Sequence, residues 1–505
     1  MVRSFCWAGR QTGRRGVVAA MVVAAGLGTG LGLDCGRARA QPAAVSSEAA
    51  SRLTDTLDIA LRQHLPSQGA KGGWHWSGRP LVVPAGDHFE VDLPALALGD
   101  DDGSAIQVGV IKLTLAPEPA GSWQVGLTLP GQILMMAADG RPDGEITIAS
   151  QRLTGRWLPA LMTFITLDAS LGGLRAASKK DKTRLEVATL ALRTDLAELP
   201  PGRWSGPGSL AVSGLTMVDE HGVEVARVGS AGIDSAVTGL DLARLVKIGG
   251  TDAVGHHPEL WRSLLSGVTA RLTALDTTMT AGNDGSSFTV KEVSAHGGVE
   301  GLDGEHSSIT LGYRHGGLSL TPSPGPREFT PEKAELDLAV FSLPNTGLWS
   351  AVEAVLKPAP GLTEDQIGTQ FSQAVMTAFT QAGSRLVVKA LSLDTPAAAA
   401  RIKGDATFDG KAAFGLVAGI DMVLRGLDTT VKEMQPAPGA KPDEEAQKTL
   451  ATLALVQAMG AAGKDEAGRD VRSYKFDLGP DGRILLNGAD MSVLLQAVQG
   501  QGAKP

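Results

Sequence analysis

Residues 215–228 read LTMVDEHGVEVARV and contain the pattern that decides the fold. Apolar residues alternate with polar ones before and after a short polar turn that ends at Gly222. Such alternation is typical of strands that have one face on a core and the other in water, as in antiparallel sheets. Asp and Gly suit a tight hairpin turn, because both tolerate positive φ. This segment therefore predicts a strand, a turn and a returning strand.

Similar units recur along the chain, at residues 96–108 (LALGDDDGSAIQV), 277–290 (TTMTAGNDGSSFTV) and, in shorter form, 476–488 (FDLGPDGRILLNG). The acidic–Gly pairs that mark candidate turns are Asp102-Gly103, Asp143-Gly144, Asp284-Gly285, Asp409-Gly410 and Asp481-Gly482. Their spacing is too irregular for a tight solenoid. We expect a β-rich α+β fold, with long, mainly antiparallel sheets of repeated hairpins and a few packing helices.

At four places the spacing of the apolar residues becomes that of a helix. Residues 47–65 carry a leucine at every fourth position, and residues 363–382 begin with a capping box at Thr363. Residues 348–356 and 443–460 are further helix candidates. The predicted regions are a signal peptide at 1–40, a linker with an amphipathic helix at 41–70, a β-rich repeat region at 71–325 and a β-rich region with helical insertions at 326–505.

The first forty residues have the parts of a secretory signal peptide. Four arginines within residues 3–15 precede an uncharged stretch at 16–33, and Ala38-Arg39-Ala40 is a small-residue cleavage site before Gln41. We predict cleavage near Ala40 and a periplasmic location, with an uncleaved inner-membrane anchor as the alternative. No later segment approaches the roughly 18 uninterrupted apolar residues of a membrane span. The mature chain is expected to associate with a membrane peripherally or not at all.

Charge excludes one class of function. The chain has 46 basic and 54 acidic residues, a net charge of −8. The leader holds six of the basic residues and one of the acidic ones, so the mature chain has 40 and 53 and a net charge of −13. Phosphate contacts need clustered Lys and Arg, so no nucleic-acid partner is expected. Both cysteines, Cys6 and Cys35, leave with the leader, and stability must come from core burial rather than disulfides.

The sequence contains no serine-hydrolase elbow, zincin helix, P-loop or dinucleotide fingerprint. His256-His257 has no ligand partner at metal-binding spacing, and successive side chains of Glu305-His306-Ser307 would face opposite sides of a strand. Asp100–Gly103 lacks EF-hand spacing and fits a charged hairpin tip. Trp74 and Trp76 favour covering the end of a sheet over gripping a glycan or acyl chain. We predict no catalytic, cofactor-binding or metal-binding residue, no cofactor, and no enzymatic activity.

The C-terminal region resembles a known group of envelope proteins. An Ala/Leu-rich helical stretch at 444–463 leads through RSYKFDLGPDG at 472–482 to RILLNG at 483–488. This order is similar to the ending of YdgA-like bacterial envelope proteins and of related uncharacterised alphaproteobacterial families. The repeated strand–turn–strand units also resemble AsmA-like envelope proteins, whose long sheets are associated with lipid handling. The resemblance implies an exported, sheet-rich, non-enzymatic protein, and it supplies no catalytic residues.

The function expected from these features is that of a periplasmic envelope binding, assembly or lipid-handling factor. A long sheet would offer a groove of aliphatic side chains, such as Val125, Leu127, Leu336 and Leu338, to acyl chains or an extended partner. Alternating aliphatics also form ordinary closed cores, which is the competing interpretation. Two other classes stay open, namely a hydrolase acting on envelope glycans or esters and a structural protein that binds an envelope partner through strand edges.

Overall fold

The computed structural model describes residues 45–65, 73–161, 163–249, 264–280, 285–323, 327–357, 361–433, 435 and 444–491. Strands hold 55% of the described residues and helices 19%, and the strands pair antiparallel, which confirms the β-rich α+β prediction. The chain divides into two compact units. The first comprises Met1–Leu260 and Ala274–Ser286, and the second comprises Trp261–Thr273 and Ser287–Pro505. The Pro-rich segment 321–326, which contains the predicted boundary between regions 71–325 and 326–505, belongs to the second unit.

The described part of the first unit contains helices α1 (Ser47–His64) and α2 (Leu242–Gly249). Its strands are β1 (Gly73–His75), β2 (Leu81–Ala85), β3 (His88–Asp92), β4 (Leu96–Gly99), β5 (Ala105–Gly109), β6 (Lys112–Pro117), β7 (Trp123–Thr128), β8 (Gln132–Met136), β9 (Pro142–Thr147), β10 (Ser150–Leu158), β11 (Thr163–Ser178), β12 (Arg184–Asp195), β13 (Ala197–Glu198), β14 (Trp204–Val218) and β15 (Glu224–Leu240). Strand β16 (Gly267–Thr280) is divided between the two units after residue 273.

The sheet of the first unit forks at β11. One branch runs β2-β3-β6-β7-β10 and the other β1-β4-β5-β8-β9. Both branches meet the same edge of β11, where β10 pairs with residues 163–172 and β9 with residues 175–178. Gly173 lies at the fork with φ +60°, and a Cβ there would lie only 2.8 Å from the Cβ of Ala149. Strands β12, β14 and β15 continue the sheet from the opposite edge of β11.

Helix α1 covers the apolar side of this fork. The Ser46 hydroxyl accepts the Ala49 N–H at 3.2 Å and begins the helix as an N-cap. The predicted leucine stripe is confirmed, because Leu53, Leu57 and Leu61 are buried in one cluster with side chains of β3 to β12. Phe89 lies fully inside this cluster. The first unit therefore has a closed core between a helix and a sheet.

One predicted turn is wrong. Asp143-Gly144 lies inside β9, and the chain turns instead at Asp139-Gly140, where Gly140 has φ +78° and the Asp139 carboxylate accepts the Arg141 N–H at 3.0 Å. Gly144 serves another purpose, because a Cβ at this position would collide with the main chain of β11. The turns that end at Gly103, Gly222 and Gly482 are confirmed.

The described part of the second unit contains helices α3 (Asn345–Leu356), α4 (Glu364–Ala382), α5 (Leu427–Glu433) and α6 (Glu444–Met459). Its strands after β16 are β17 (Ser287–Glu300), β18 (His306–Gly316), β19 (Ser319–Thr321), β20 (Lys333–Pro344), β21 (Arg385–Asp394), β22 (Ala399–Phe408), β23 (Leu416–Arg425), β24 (Ala461–Lys464), β25 (Asp470–Leu478), β26 (Ile484–Leu486) and β27 (Ala489–Asp490). The sequence predicts α3, α4 and α6, whereas α2 and α5 were missed because each is shorter than three full turns.

The sheet of the second unit runs β17-β18-β20-β21-β22-β23-β25. Strand β21 contains a bulge, because Lys389 and Ala390 together face a single residue of β22 between the pairs Val388–Gly404 and Leu391–Ile402. Helices α3 and α4 pack against β20 at one end of the sheet, and α5 contacts β25. The predicted capping box of α4 is confirmed by reciprocal hydrogen bonds between Thr363 and Gln366.

None of the helices in the described residues is long and apolar enough to cross a membrane.

Candidate ligand-binding surface

The second unit carries an apolar face that its own helices cover only in part. Cross-strand pairing aligns Tyr313, Leu336, Leu391, Ile402 and Met422 in one row across β18 and β20 to β23. A parallel row contains Leu311, Leu338, Val388, Gly404 and Ile420. With their apolar neighbours on the same face these residues form what we call the apolar surface: Ile309, Leu311, Tyr313, Leu336, Leu338, Val340, Leu386, Val388, Leu391, Leu393, Ile402, Ile420 and Met422.

Exposure shows that this surface is open. Leu311 is 52% exposed, Leu393 44% and Leu391 41%, whereas the leucines of α1 are below 10%. Strand geometry gives the surface a length and width of about 20 Å each, on the order of 400 Å². Contiguous apolar patches of about 300–600 Å² are the largest that soluble monomers usually expose, and they are often functional. An open apolar sheet face is thus the most distinctive feature of the second unit.

The opposite face of the same strands is the face adapted to water. It carries cross-strand ion pairs, namely Arg314–Glu292, Arg385–Asp405 at 3.1 Å, Lys389–Asp337 at 3.7 Å and Arg425–Asp394 at 3.7 Å. Exposed pairs contribute little stability, but their position on one face establishes which side of the sheet is polar. The half-exposed leucines are therefore a second, chemically different surface of an amphipathic sheet.

The C-terminal helices close one margin of the apolar surface. The Asp428 carboxylate of α5 accepts hydrogen bonds from the Gln457 amide at 2.5 Å and from the Arg472 guanidinium at 3.1 Å. The hydrogen bond from the Gln457 amide, and to a smaller extent the Arg472 guanidinium, hold the pKa of Asp428 below its usual range. Tyr474 lies in the same row as Met422, and its hydroxyl donates to the Val456 carbonyl of α6 at 2.7 Å. Burial raises the pKa of this hydroxyl.

The Leu-Asn-Gly motif of the C-terminal resemblance joins α6 to the sheet. Asn487 has φ +49°, and its side-chain oxygen accepts the Lys475 N–H at 2.7 Å. Its amide donates to the Met459 carbonyl at the end of α6 at 2.9 Å. Asn tolerates the left-handed conformation better than most residues, and its amide can donate and accept at once. The motif thus has a structural role, holding α6 against β25.

A polar pair lies at another margin of the apolar surface. The Tyr313 hydroxyl is 3.1 Å from His315 Nδ1, and the two rings meet edge to face with centroids 5.7 Å apart. His315 is only 9% exposed, and its Nε2 has no hydrogen-bond partner among the described residues. Buried polar atoms without a partner are uncommon in folded proteins, and each one calls for an explanation.

Of the four residues predicted to line a groove, two lie on the apolar surface and two lie in or against the core of the first unit. Leu336 and Leu338 belong to the half-buried apolar surface. Val125 is 5% exposed in the closed core of the first unit, and Leu127 packs against that core. The sequence did not single out Leu311, Leu391 or His315 as candidates.

The other residues considered in the sequence lie in positions that structural roles explain, except where they fall outside the described residues. Trp74 and Trp76 pack against the core of the first unit, as the covering interpretation predicts. The Asp102 carboxylate accepts the Ser104 N–H at 2.9 Å and orders the hairpin tip. His306 and Ser307 pair with successive residues of β20, and Ser307 is buried whereas His306 is exposed. His256-His257 lies outside the described residues.

The first unit has a groove of about 680 Å³ on the polar side of β10 to β15, lined among others by Thr154, Asp168, Arg193 and Asp234. Arg193 lies 3.4 Å and Arg152 3.8 Å from the Asp168 carboxylate. The charge of Asp168 is therefore already balanced by two guanidinium groups. Within the described part of the chain, no group of three or more His, Cys, Asp and Glu residues is placed to hold a metal ion.

Comparison with known proteins gives no relative, because no family model, no curated protein and no solved structure matches the chain.

Proposed function

We propose that the protein is an exported, non-enzymatic envelope factor that handles lipids, and that acyl chains bind on the apolar surface of the second unit. The observation that carries the proposal is a sheet with ion pairs on one face and half-exposed leucines on the other. Contact between the apolar surface and water is unfavourable, and an acyl chain that covers this surface removes the unfavourable free energy. Export is supported by the leader-like residues 1–40, which lie outside the described residues.

The dimensions of the surface suit an extended hydrocarbon. One strand of the apolar surface is about 20 Å long, and the neighbouring strands offer parallel rows of aliphatic side chains. Leu311 lies on β18 and Leu391 on β21, two strands away in the sheet, and each has about half of its surface free for a ligand. The binding free energy would come from apolar area removed from water, at about 25 cal/mol per Å².

The test is direct detection of bound lipid. The full chain is expressed with its leader, purified from the periplasmic fraction without detergent, and examined by native mass spectrometry and by organic extraction. We expect a lipid adduct in the wild type, and its loss in a Leu311→Asp, Leu391→Asp double variant. The matched control is Thr310→Asp with Ser392→Asp, which changes the adjacent residues on the other face of the same strands.

A wild-type spectrum of bare polypeptide alone would reject the proposal. Equal adducts in the double variant and its control would also reject it, because the lipid would then lie elsewhere on the protein. A co-purified protein in place of lipid would favour the partner-binding alternative.

A further inference from the structure

We infer that the apolar surface takes an anionic amphiphile, whose acidic head is bound by Lys291 and His315 while its acyl chain extends over Leu311 and the rows beside it. The inference rests on the proposed function and adds the chemistry and the orientation of the ligand.

The charge on the apolar face is one-sided. Within the described residues of β17, β18, β20 to β23 and β25, the register places no carboxylate on this face. Three basic side chains are placed there, namely Lys291, His315 and Arg472. Arg472 is already bound to Asp428. Lys291 and His315 are therefore the basic groups left for a ligand, and they suit an anion.

These two groups lie at the same end of the surface. Val293 pairs with His315, so Lys291 is the diagonal neighbour of His315 on the same face. The aliphatic stem of Lys291 lies over Gly317, where a Cβ would be only 2.6 Å from the Lys291 Cγ. Gly317 also has φ +67°, so a side chain is doubly unfavourable there. The bare glycine leaves the space in which the lysine stem lies beside His315.

His315 supplies a directed hydrogen bond. When the Tyr313 hydroxyl donates to Nδ1, the imidazole proton is on Nε2, which is then a donor. This buried Nε2 lacks a partner among the described residues. A carboxylate or phosphate oxygen would satisfy it, while the Lys291 ammonium would balance the charge. In this arrangement Lys291 and His315 contact the ligand, and Tyr313 is a positioning residue that sets the tautomer.

The orientation follows from the strand. From His315 the face continues through Tyr313, which is 41% exposed, to Leu311 at 52%. A ligand with its head at His315 would therefore lay its chain along β18 and against Leu336 of the paired strand.

The experiment measures displacement of the neutral probe N-phenyl-1-naphthylamine from the delipidated full chain. The competitors are palmitic acid, hexadecanol, hexadecylamine and lysophosphatidic acid, which separate the contribution of the chain from that of the head. We expect the two anions to bind about tenfold or more tighter than the alcohol, and the amine to bind no tighter than the alcohol. The tighter of the two anions identifies the head as carboxylate or phosphate.

Variants assign the contacts. Lys291→Gln is expected to remove most of the preference for anions, so that the affinity for palmitic acid falls to about that for hexadecanol. Lys291→Arg should restore the preference. Lys403→Gln is the matched control, because Lys403 is exposed on the opposite face of β22. Because His315 is buried, its replacement could unfold the region, and so His315 is followed in the wild type by imidazole ¹⁵N NMR, with a palmitate-dependent shift expected at Nε2.

The outcomes separate the two proposals. If anion and alcohol bind equally and Lys291→Gln has no effect, the anionic head is rejected, while the apolar surface stands if Leu311→Asp still weakens hexadecanol binding. If no competitor displaces the probe, or Leu311→Asp changes nothing, the proposed function fails as well. An Nε2 resonance that does not respond to bound palmitate rejects the role of His315.

Discussion

Two leucines of the second unit, Leu343 and Leu311, test whether the apolar surface is open in solution. Both are on neighbouring, paired strands of the same sheet, but Leu343 is 3% exposed and Leu311 is 52% exposed. Leu343 lies at the end of β20 against which α3 and α4 pack. The same chemical change, Leu→Ala, at each position therefore compares a covered site with an uncovered one.

The expected magnitudes differ clearly. Leu343→Ala removes buried methyl groups and leaves a cavity, at a cost of about 2–5 kcal/mol in the free energy of unfolding. Leu311→Ala removes a side chain of which half already contacts water, and no closed cavity forms. Full burial of a leucine contributes about 1.5–3 kcal/mol, so the loss at Leu311 should be about 1 kcal/mol.

Native-state hydrogen exchange of peptides from β20 to β22 is the suitable assay, because it reports the stability of the second unit separately from the first. The two variants are compared in delipidated protein. Equal destabilisation by Leu311→Ala and Leu343→Ala would refute the reasoning, since it would mean that the apolar surface is closed in solution. If the surface is open, added palmitic acid should stabilise the wild type more than it stabilises Leu311→Ala, because a ligand that binds only the folded state raises the stability of that state.

Four further predictions concern the helices and the leader. The pKa of Asp428 is lowered in the folded state, so its contribution to the stability of the folded state is complete above about pH 4 and is lost as pH falls through the lowered pKa. Asp428→Asn should therefore weaken the loss of stability at acid pH. If the variant does not change how hydrogen exchange in α6 depends on pH, this prediction is contradicted. Tyr474→Phe should lower the free energy of unfolding by about 1 kcal/mol, because its hydrogen bond to α6 is lost. Thr363→Ala should lower it by about 1 kcal/mol, because the N-cap of α4 is lost. Urea unfolding measures both changes, and values near zero would show that neither bond contributes. Intact mass of the periplasmic protein should place the N-terminus at Gln41, and a chain beginning at Met1 would favour the anchor instead.

Local patterns predicted the elements well where the cause was local. The leucine stripe of α1 and the capping box at Thr363 depend on residues within one or two turns, and both are confirmed. Asp143-Gly144 misled because Gly has two uses that look alike in sequence. One is a positive φ in a turn, and the other is close approach of a second strand, which here depends on Ala177 of β11, more than thirty residues away.

The surface was harder to predict than the strands. Alternation shows that one face of a strand is apolar, but whether another layer covers that face is a tertiary property. Val125 and Leu338 have the same pattern, yet Val125 is buried in the core beneath α1 in the first unit, whereas Leu338 in the second unit is only partly buried. The sequence also gives no sign that His315 Nε2 lacks a partner among the described residues, because this depends on the positions of all neighbouring side chains.

The bulge at Lys389-Ala390 has a consequence for how this protein tolerates insertions and deletions. Leu386 and Val388 precede it at even positions, and Leu391 and Leu393 follow it at odd ones, so the extra residue keeps all four on the same face. Removing one of the two bulge residues would restore simple alternation and leave all four on the apolar face. Removing both would turn Leu391 and Leu393 onto the ion-paired side. At this point of β21 a one-residue deletion should therefore be tolerated better than a two-residue deletion, which is the reverse of the expectation for a regular strand.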